Sequence, residues 1–293
     1  MKISEKLNRG TPTLSFEVFP PKPGIPLGPT LAAVRQVAAL RPDFISVTYG
    51  AGGRGATGTV AVASEVQNGA GVTALAHLTC VGSSRSDVAD RLRELREHGI
   101  ENLLALRGDL PAGAVGVSGD YRYAADLISD IRALDPTLCV GAACYPEGHT
   151  ECPHREDDVA HLKEKVDRGV DFLTTQMFFD NSVFYSFLYR AMSHGIDVPV
   201  LAGIMPVTNG KTIAHACALS GATLPNRFRR IVDKYGDDPA SMKQAGIAYA
   251  TEQIVDLLAN GVRGIHVYTM NKPDVAEAIA SNLSHLISGD GAL

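Results

Sequence analysis

Apolar and polar positions along the chain alternate between two periods. Short apolar runs at 14–19, 43–48, 73–78, 102–106, 139–143, 172–176, 200–204 and 264–268 have the length and β-branched content of buried strands. Between them lie stretches with apolar residues every three or four positions, which predict amphipathic helices at 30–40, 57–68, 84–97, 123–134, 155–168, 181 to about 194, and 274–287. Ser84 or Ser86 is placed to cap the third of these helices and Asn181 the sixth. The six residues Met1 to Lys6 read as a polar lead with no apolar run behind them. Additional helical segments at 211–219, 225–235 and 239–260 fall between the seventh and eighth strands. Strict strand–helix alternation implies parallel strands with crossover helices. Eight such units predict an α/β fold closed into a single (β/α)8 barrel of the TIM type, with an open doubly wound sheet as the competing arrangement.

No linker or low-complexity break interrupts the pattern, so 1–293 is expected to form one catalytic domain. With 45% apolar and 20% charged residues the composition is that of a globule with a sizeable core. A net charge of -5 and the lack of a Lys/Arg cluster interleaved with aromatics point away from nucleic acid, and no run approaches the ~18 apolar residues of a membrane span. Five cysteines, odd in number, suit free thiols and a cytoplasmic location. Cys144, His149, Cys152 and His154 crowd one segment, but their spacing matches no standard zinc module, and Cys144 closes an apolar strand. No metal is expected.

The chemistry collects where strands end. Leu103 to Leu106 is followed at once by Arg107, Gly108 and Asp109, so a buried strand delivers a cation and a carboxylate to its carboxyl end, where barrels place their functional groups. Glu17, Thr48, His77, Tyr145, Gln176 and Asn271 occupy corresponding positions on other strands. Glu17 lies inside the apolar run Ser15-Phe16-Glu17-Val18-Phe19, where an ionised carboxylate costs several kcal/mol unless paired. Burial there favours the protonated form, which can act as a general acid. Gly50-Ala51-Gly52-Gly53-Arg54-Gly55 satisfies G-x-G-x-x-G after a strand, but no Asp or Glu occurs between Glu65 and Asp87, so the ribose-binding carboxylate of a dinucleotide fold is missing. Hydrolase and P-loop motifs are absent as well, which leaves a cofactor to carry the chemistry.

Eight motifs in register then identify a resemblance. Phe16-Glu17-Val18-Phe19-Pro20-Pro21-Lys22, Val47-Thr48-Tyr49-Gly50-Ala51-Gly52, His77-Leu78-Thr79-Cys80 and Ala105-Leu106-Arg107-Gly108-Asp109-Leu110-Pro111 are followed by Tyr145-Pro146-Glu147, Thr175-Gln176-Met177-Phe178-Phe179-Asp180, Gly203-Ile204-Met205-Pro206-Val207 and His266-Val267-Tyr268-Thr269-Met270-Asn271. Together they resemble the methylenetetrahydrofolate reductases, in the short bacterial form that consists of the catalytic barrel alone.

The resemblance implies a flavoprotein oxidoreductase of one-carbon metabolism and methionine biosynthesis. FAD at the strand ends would be reduced by NADH or NADPH and would then reduce 5,10-methylenetetrahydrofolate to 5-methyltetrahydrofolate in a ping-pong cycle. Glu17 would be the general acid and Asp109 the carboxylate beside flavin and pterin. Thr48, Tyr49, Ala51, His77, Leu106, Arg107 and Gly108 would line the flavin, joined by Tyr123, Ala124, Ala143, Tyr145, His149, Asp158 and Lys165. Gln176 and Lys272 would meet the folate, with Lys272 standing where many relatives carry arginine. Glu164 falls where relatives can have a basic residue, and Thr212 and Ala216 stand where some present glutamine and an aromatic. A homo-oligomer, with a partner subunit as a further possibility, is implied too. The alternatives are a flavin-free variant with direct hydride transfer, a different flavin-dependent barrel, or a non-redox barrel that only binds a pterin.

Overall fold

In the computed structural model, which describes residues 1–49, 56–109 and 119–287, eight strands close a barrel in sequence order. They are β1 (Thr13–Val18), β2 (Phe44–Val47), β3 (Thr73–Thr79), β4 (Asn102–Leu106), β5 (Cys139–Cys144), β6 (Phe172–Thr175), β7 (Val200–Ile204) and β8 (Gly264–Tyr268). Every neighbouring pair is parallel, and β1 pairs with β8 from Thr13 opposite Gly264 to Glu17 opposite Tyr268, which closes the sheet. The open-sheet alternative is thereby removed.

Side chains of a strand point alternately in and out, so each run divides into two sets. Leu14, Phe16, Val18, Ile45, Val47, Ala74 and Ala76 face outward into a shell shared with the helices α2 (Gly28–Ala39), through Val34 and Val37, and α4 (Arg85–Glu97), through Val88, Leu92 and Leu95. The inward set is polar toward the carboxyl ends and apolar toward the amino ends. There Phe44, Leu75, Leu104, Cys139, Phe172 and Leu201 fill the barrel floor. Gly141 is required in that packing, because a Cβ on it would lie 2.5 Å from the Phe172 ring.

The floor is sealed by an element the hydrophobic pattern does not announce. Instead of a polar lead, the helix α1 (Ile3–Leu7) buries Ile3 and Leu7 against the inner cluster, and the Ile3 N–H donates to Asn102 Oδ1 at 2.8 Å. The five-residue helix is too short for its periodicity to register.

Other boundaries follow their caps. Ser84 and Asp87 form the capping box that starts α4. The helix α7 (Asn181–Ser193) is capped by the Asp180 carboxylate, not by Asn181, whose amide instead donates to Asp256 at 2.6 Å. The helix α3 (Ala56–Ser64) runs into a single wide π turn at Glu65–Gly69. α5 (Ala124–Leu134) and α6 (Arg155–Asp167) follow β4 and β5, and α8 (Gly210–Ser220), α9 (Asn226–Tyr235) and α10 (Pro239–Ala259) decorate the β7–β8 connection as expected. α11 (Pro273–Asn282) and the short α12 (Ser284–Ile287) end the described chain. No helix among the described residues is long and apolar enough to cross a membrane.

Candidate active site

The inward polar positions of β1, β2, β3 and β8 meet at the barrel's carboxyl mouth. Glu17 reaches in from β1, and its Oε2 lies 3.5 Å from His77 Nε2 and 3.6 Å from His266 Nε2. The carboxylate retains 19% exposure while both imidazoles are buried, so it is the member of the group that opens to the mouth. His77 Nε2 is 2.6 Å from Ser46 Oγ, and His266 Nδ1 is 2.8 Å from Ser15 Oγ. Burial lowers the pKa of His77 to about 4 against the opposing pull of Glu17, so its ring is neutral at pH 7.

Tyr268, two residues beyond His266 and therefore also inward, crosses the mouth and donates from its hydroxyl to the Thr175 carbonyl at 2.6 Å. Burial pushes that phenol well up. Gly203 makes room for the crossing, since a Cβ there would stand 2.6 Å from the Tyr268 hydroxyl.

A second group assembles where β4 and β5 end. The Arg107 guanidinium makes a two-pronged bond to Glu151, 2.6 Å on each arm. Tyr145 meets His149 edge to face at 4.6 Å, and burial raises the Tyr145 phenol to about 12. Lys165 donates to the Ala143 carbonyl at 2.6 Å, and burial lowers the pKa of its ammonium, an effect opposed by the thiol of Cys144 and the carboxylate of Asp158. Burial likewise raises Asp158, with Lys165 and His149 pulling the other way. Gly108 takes φ +88 and lies against Thr79 and Val81, a backbone position that only glycine fills without strain.

The remaining predicted residues are placed as follows. Asp109 is exposed at the end of β4, beside Arg107. Leu106 packs half-buried on the inner cluster, and the Thr48 carbonyl accepts from the Thr59 hydroxyl. Tyr49 borders a cleft of about 240 Å³ with Thr79, Ser83 and Arg91. Tyr123 is exposed under the Arg122 guanidinium, and Ala124 opens α5. Gln176 accepts from the Met177 N–H through its own side-chain oxygen. Lys272 donates to Thr208 Oγ at 2.6 Å, and Glu164 is paired with Arg168. Asn271 binds both the N–H and the carbonyl of Phe19, which locks the β1–β8 seam. Ala51 and the glycine-rich segment around it lie outside the described residues. A further cleft of about 300 Å³, bordered by Asp180, Arg227, Tyr249 and Gln253, includes none of these residues.

Ser15, Ser46, His266, Tyr268 and Glu151 carry site geometry without having been singled out by sequence. For the first four a signal existed: each stands two residues from another inward polar residue on its strand, Ser15 with Glu17, Ser46 with Thr48, and His266 with Tyr268. Glu151 lies on a loop, where no period applies.

A closed parallel barrel with a carboxylate between two imidazoles and two cations on the same rim defines an α/β-barrel protein of the enzyme type. The sequence model of the methylenetetrahydrofolate reductase family matches residues 2–284, and the chain belongs to that family. It is 33% identical to the 5,10-methylenetetrahydrofolate reductase of Pectobacterium carotovorum, covering 94% of this chain and 91% of that one. With the Escherichia coli protein of the same name it shares 31% identity over 94% and 92%. Identity to methylenetetrahydrofolate reductase (NADH) 1 of Zea mays is 34%, covering 96% of this chain, which spans about half (50%) of the plant protein's length. Among solved structures, a Clostridium thermocellum protein described as binding two copies of 5-methyl-5,6,7,8-tetrahydrofolic acid superposes with a TM-score of 0.65 at 15% identity, covering 97% of this chain and 98% of that one. That likeness concerns the fold.

Proposed function

We propose that the chain reduces 5,10-methylenetetrahydrofolate to 5-methyltetrahydrofolate, with NADH or NADPH as donor and FAD as the resident cofactor. The observation that carries the reading is Glu17, an acid at the mouth of the barrel with its carboxyl between two buried imidazoles. In this role it gives a proton to the amine nitrogen that leaves the methylene bridge, so that the bridge carbon can accept hydride. The bacterial relatives of nearly equal length and the folate-binding barrel of like fold support the substrate class.

The residues present fit a flavin dinucleotide. The Arg107 fork already grips a carboxylate in the two-pronged geometry that also suits a phosphate, and Lys165 supplies a second cation on the same rim. Tyr145 and His149 offer half-buried ring surface beside them. A flavin held by these residues would supply the hydride-transfer chemistry between nicotinamide and folate. Asp109 would be the carboxylate beside flavin and pterin, and Gln176 would orient the pterin edge through its amide.

Anaerobic titration tests this reading. Purified protein supplied with FAD should be yellow, should bleach with NADH, and should recover its colour with methylenetetrahydrofolate. In Glu17→Gln the bleaching rate should stay within about tenfold while the folate-driven recovery slows by at least ~10², the lower end of general-acid effects. Equal losses in both steps would make Glu17 a structural residue. Protein that binds no flavin yet oxidises NADH with the folate would transfer hydride directly, and protein that does neither would be a pterin binder.

A further inference from the structure

We propose that Glu17 and His266 hold a single proton between them, and that Ser15 enforces this by fixing which ring nitrogen of His266 carries hydrogen. The inference deepens the general-acid reading of Glu17 and rests on it for its catalytic consequence, though not for its chemistry.

Ser15 Oγ has two partners, the Ile265 carbonyl at 3.1 Å and His266 Nδ1 at 2.8 Å. A hydroxyl has one hydrogen, and a carbonyl can only accept. Both bonds form together only when the hydroxyl donates to Ile265 and Nδ1–H donates to the hydroxyl. The neutral ring then has a bare lone pair on Nε2. That nitrogen is fully buried, has no hydrogen-bond partner, and faces Glu17 Oε2 at 3.6 Å. An ionised carboxylate facing a bare nitrogen that water does not reach is repulsive. One proton removes the repulsion, either on Glu17 with the ring neutral or on Nε2 with Glu17 ionised.

The surroundings reinforce the arrangement. The groups facing Glu17 are His77 from β3, Ser46 behind it on β2, and Tyr268 beside His266 on β8, with Tyr145 and Cys144 beyond the tyrosine. Among these described groups no lysine or arginine pairs with Glu17 to hold it ionised without the proton. Phe44 stacks on the His266 ring at 6.0 Å and Tyr268 meets it edge-on at 5.4 Å, so the imidazole keeps its orientation. When the acid acts, the Glu17 O–H bond breaks, an N–H bond forms on the departing amine, and the O–H electron pair stays on the carboxylate. The partly exposed Glu17 then takes a replacement proton from solvent at the mouth. His266 is a positioning residue in this scheme, since it touches Glu17 and not the reacting bridge.

The direct test is the tautomer. In protein labelled with ¹⁵N-histidine, two-bond ¹⁵N–¹H correlation at pH 7, with His266→Gln to assign the signal, should show hydrogen on Nδ1 of His266, and Nε2 either bare or protonated together with Nδ1. A neutral ring with hydrogen on Nε2 alone overturns the proposal. Ser15→Ala, a small change on a strand, should move the ring toward the Nε2–H form, which can donate to an ionised Glu17. The alkaline limb of folate reduction, present at low pH and lost as pH rises through the release of the shared proton, should then fall at least about one pH unit lower, with NADH-dependent flavin bleaching unshifted. An unshifted limb alongside the altered tautomer overturns the positioning role. If the protein reduces no folate at any pH, the reductase reading fails, and the tautomer signal still decides the shared proton.

Discussion

His77 shows how one residue can serve a site at the expense of the fold. Its ring is 6% exposed and its pKa is lowered from 6.5 to about 4, chiefly by burial. An unfolded chain binds a proton at this position below pH 6.5, whereas the native one resists until about pH 4, so the stabilising difference is complete above pH 6.5 and is lost as pH falls through 4. The interval corresponds to about 3 kcal/mol. Chemical denaturation between pH 7 and 4 should show that loss, and His77→Gln, which keeps a hydrogen-bonding group opposite Ser46, should flatten it by about that amount. An identical pH slope in the variant would mean that the ring charges freely in the native state. The residue was legible in the sequence as a polar group at a strand end, but its partners were not. Ser46 and Glu17 lie 31 and 60 positions away, at distances that only barrel closure brings together.

Elements differ in how much of their packing the chain reveals. The long helix α10 is evident from its period, but its seat against the segment that follows β7 depends on one atom that is missing. A Cβ at Gly246 would lie 1.8 Å from the Val207 carbonyl oxygen, so helix and segment touch backbone to backbone. Alanine ordinarily stabilises a helix by about 1 kcal/mol over glycine. At Gly246 the clash should reverse the sign, with a net loss of ~2 kcal/mol or more in thermal or denaturant unfolding. Gly28, in the first turn of α2, has nothing within 4 Å of the same atom, so Gly28→Ala should be neutral or slightly stabilising. Equal effects of the two substitutions would refute the close approach. The cap of α7 lies one residue before the one the pattern predicts, for a comparable reason: Asp180 and Asn181 are both good caps, and Asn181 is drawn off by Asp256 on α10.

For the molecule as a whole, the strand count and the polar rim could be read from period and position, and the parallel order followed from the crossover helices. What escaped was which residues of each strand point inward, and with them the apolar floor that divides the barrel interior from its polar mouth, because inward and outward residues of a doubly buried strand look alike in sequence. The floor is where that division can be tested. Leu7 is 8% exposed and packs with Ile3, Phe44 and Leu201 at the amino ends of the strands, at the opposite end of the barrel from Glu17. Leu7→Ala removes buried methyl groups from a closed layer, a change that costs roughly 2–5 kcal/mol where neighbours cannot collapse into the gap. The unfolding midpoint should drop by roughly 5–10 °C. At 25 °C, where the variant is still folded, NADH bleaching and folate-driven recovery should each stay within about twofold, because distant sites act nearly independently. A selective loss of the folate step in Leu7→Ala would mean that the floor and the mouth are coupled through the barrel interior, and the two ends would then have to be treated as one site.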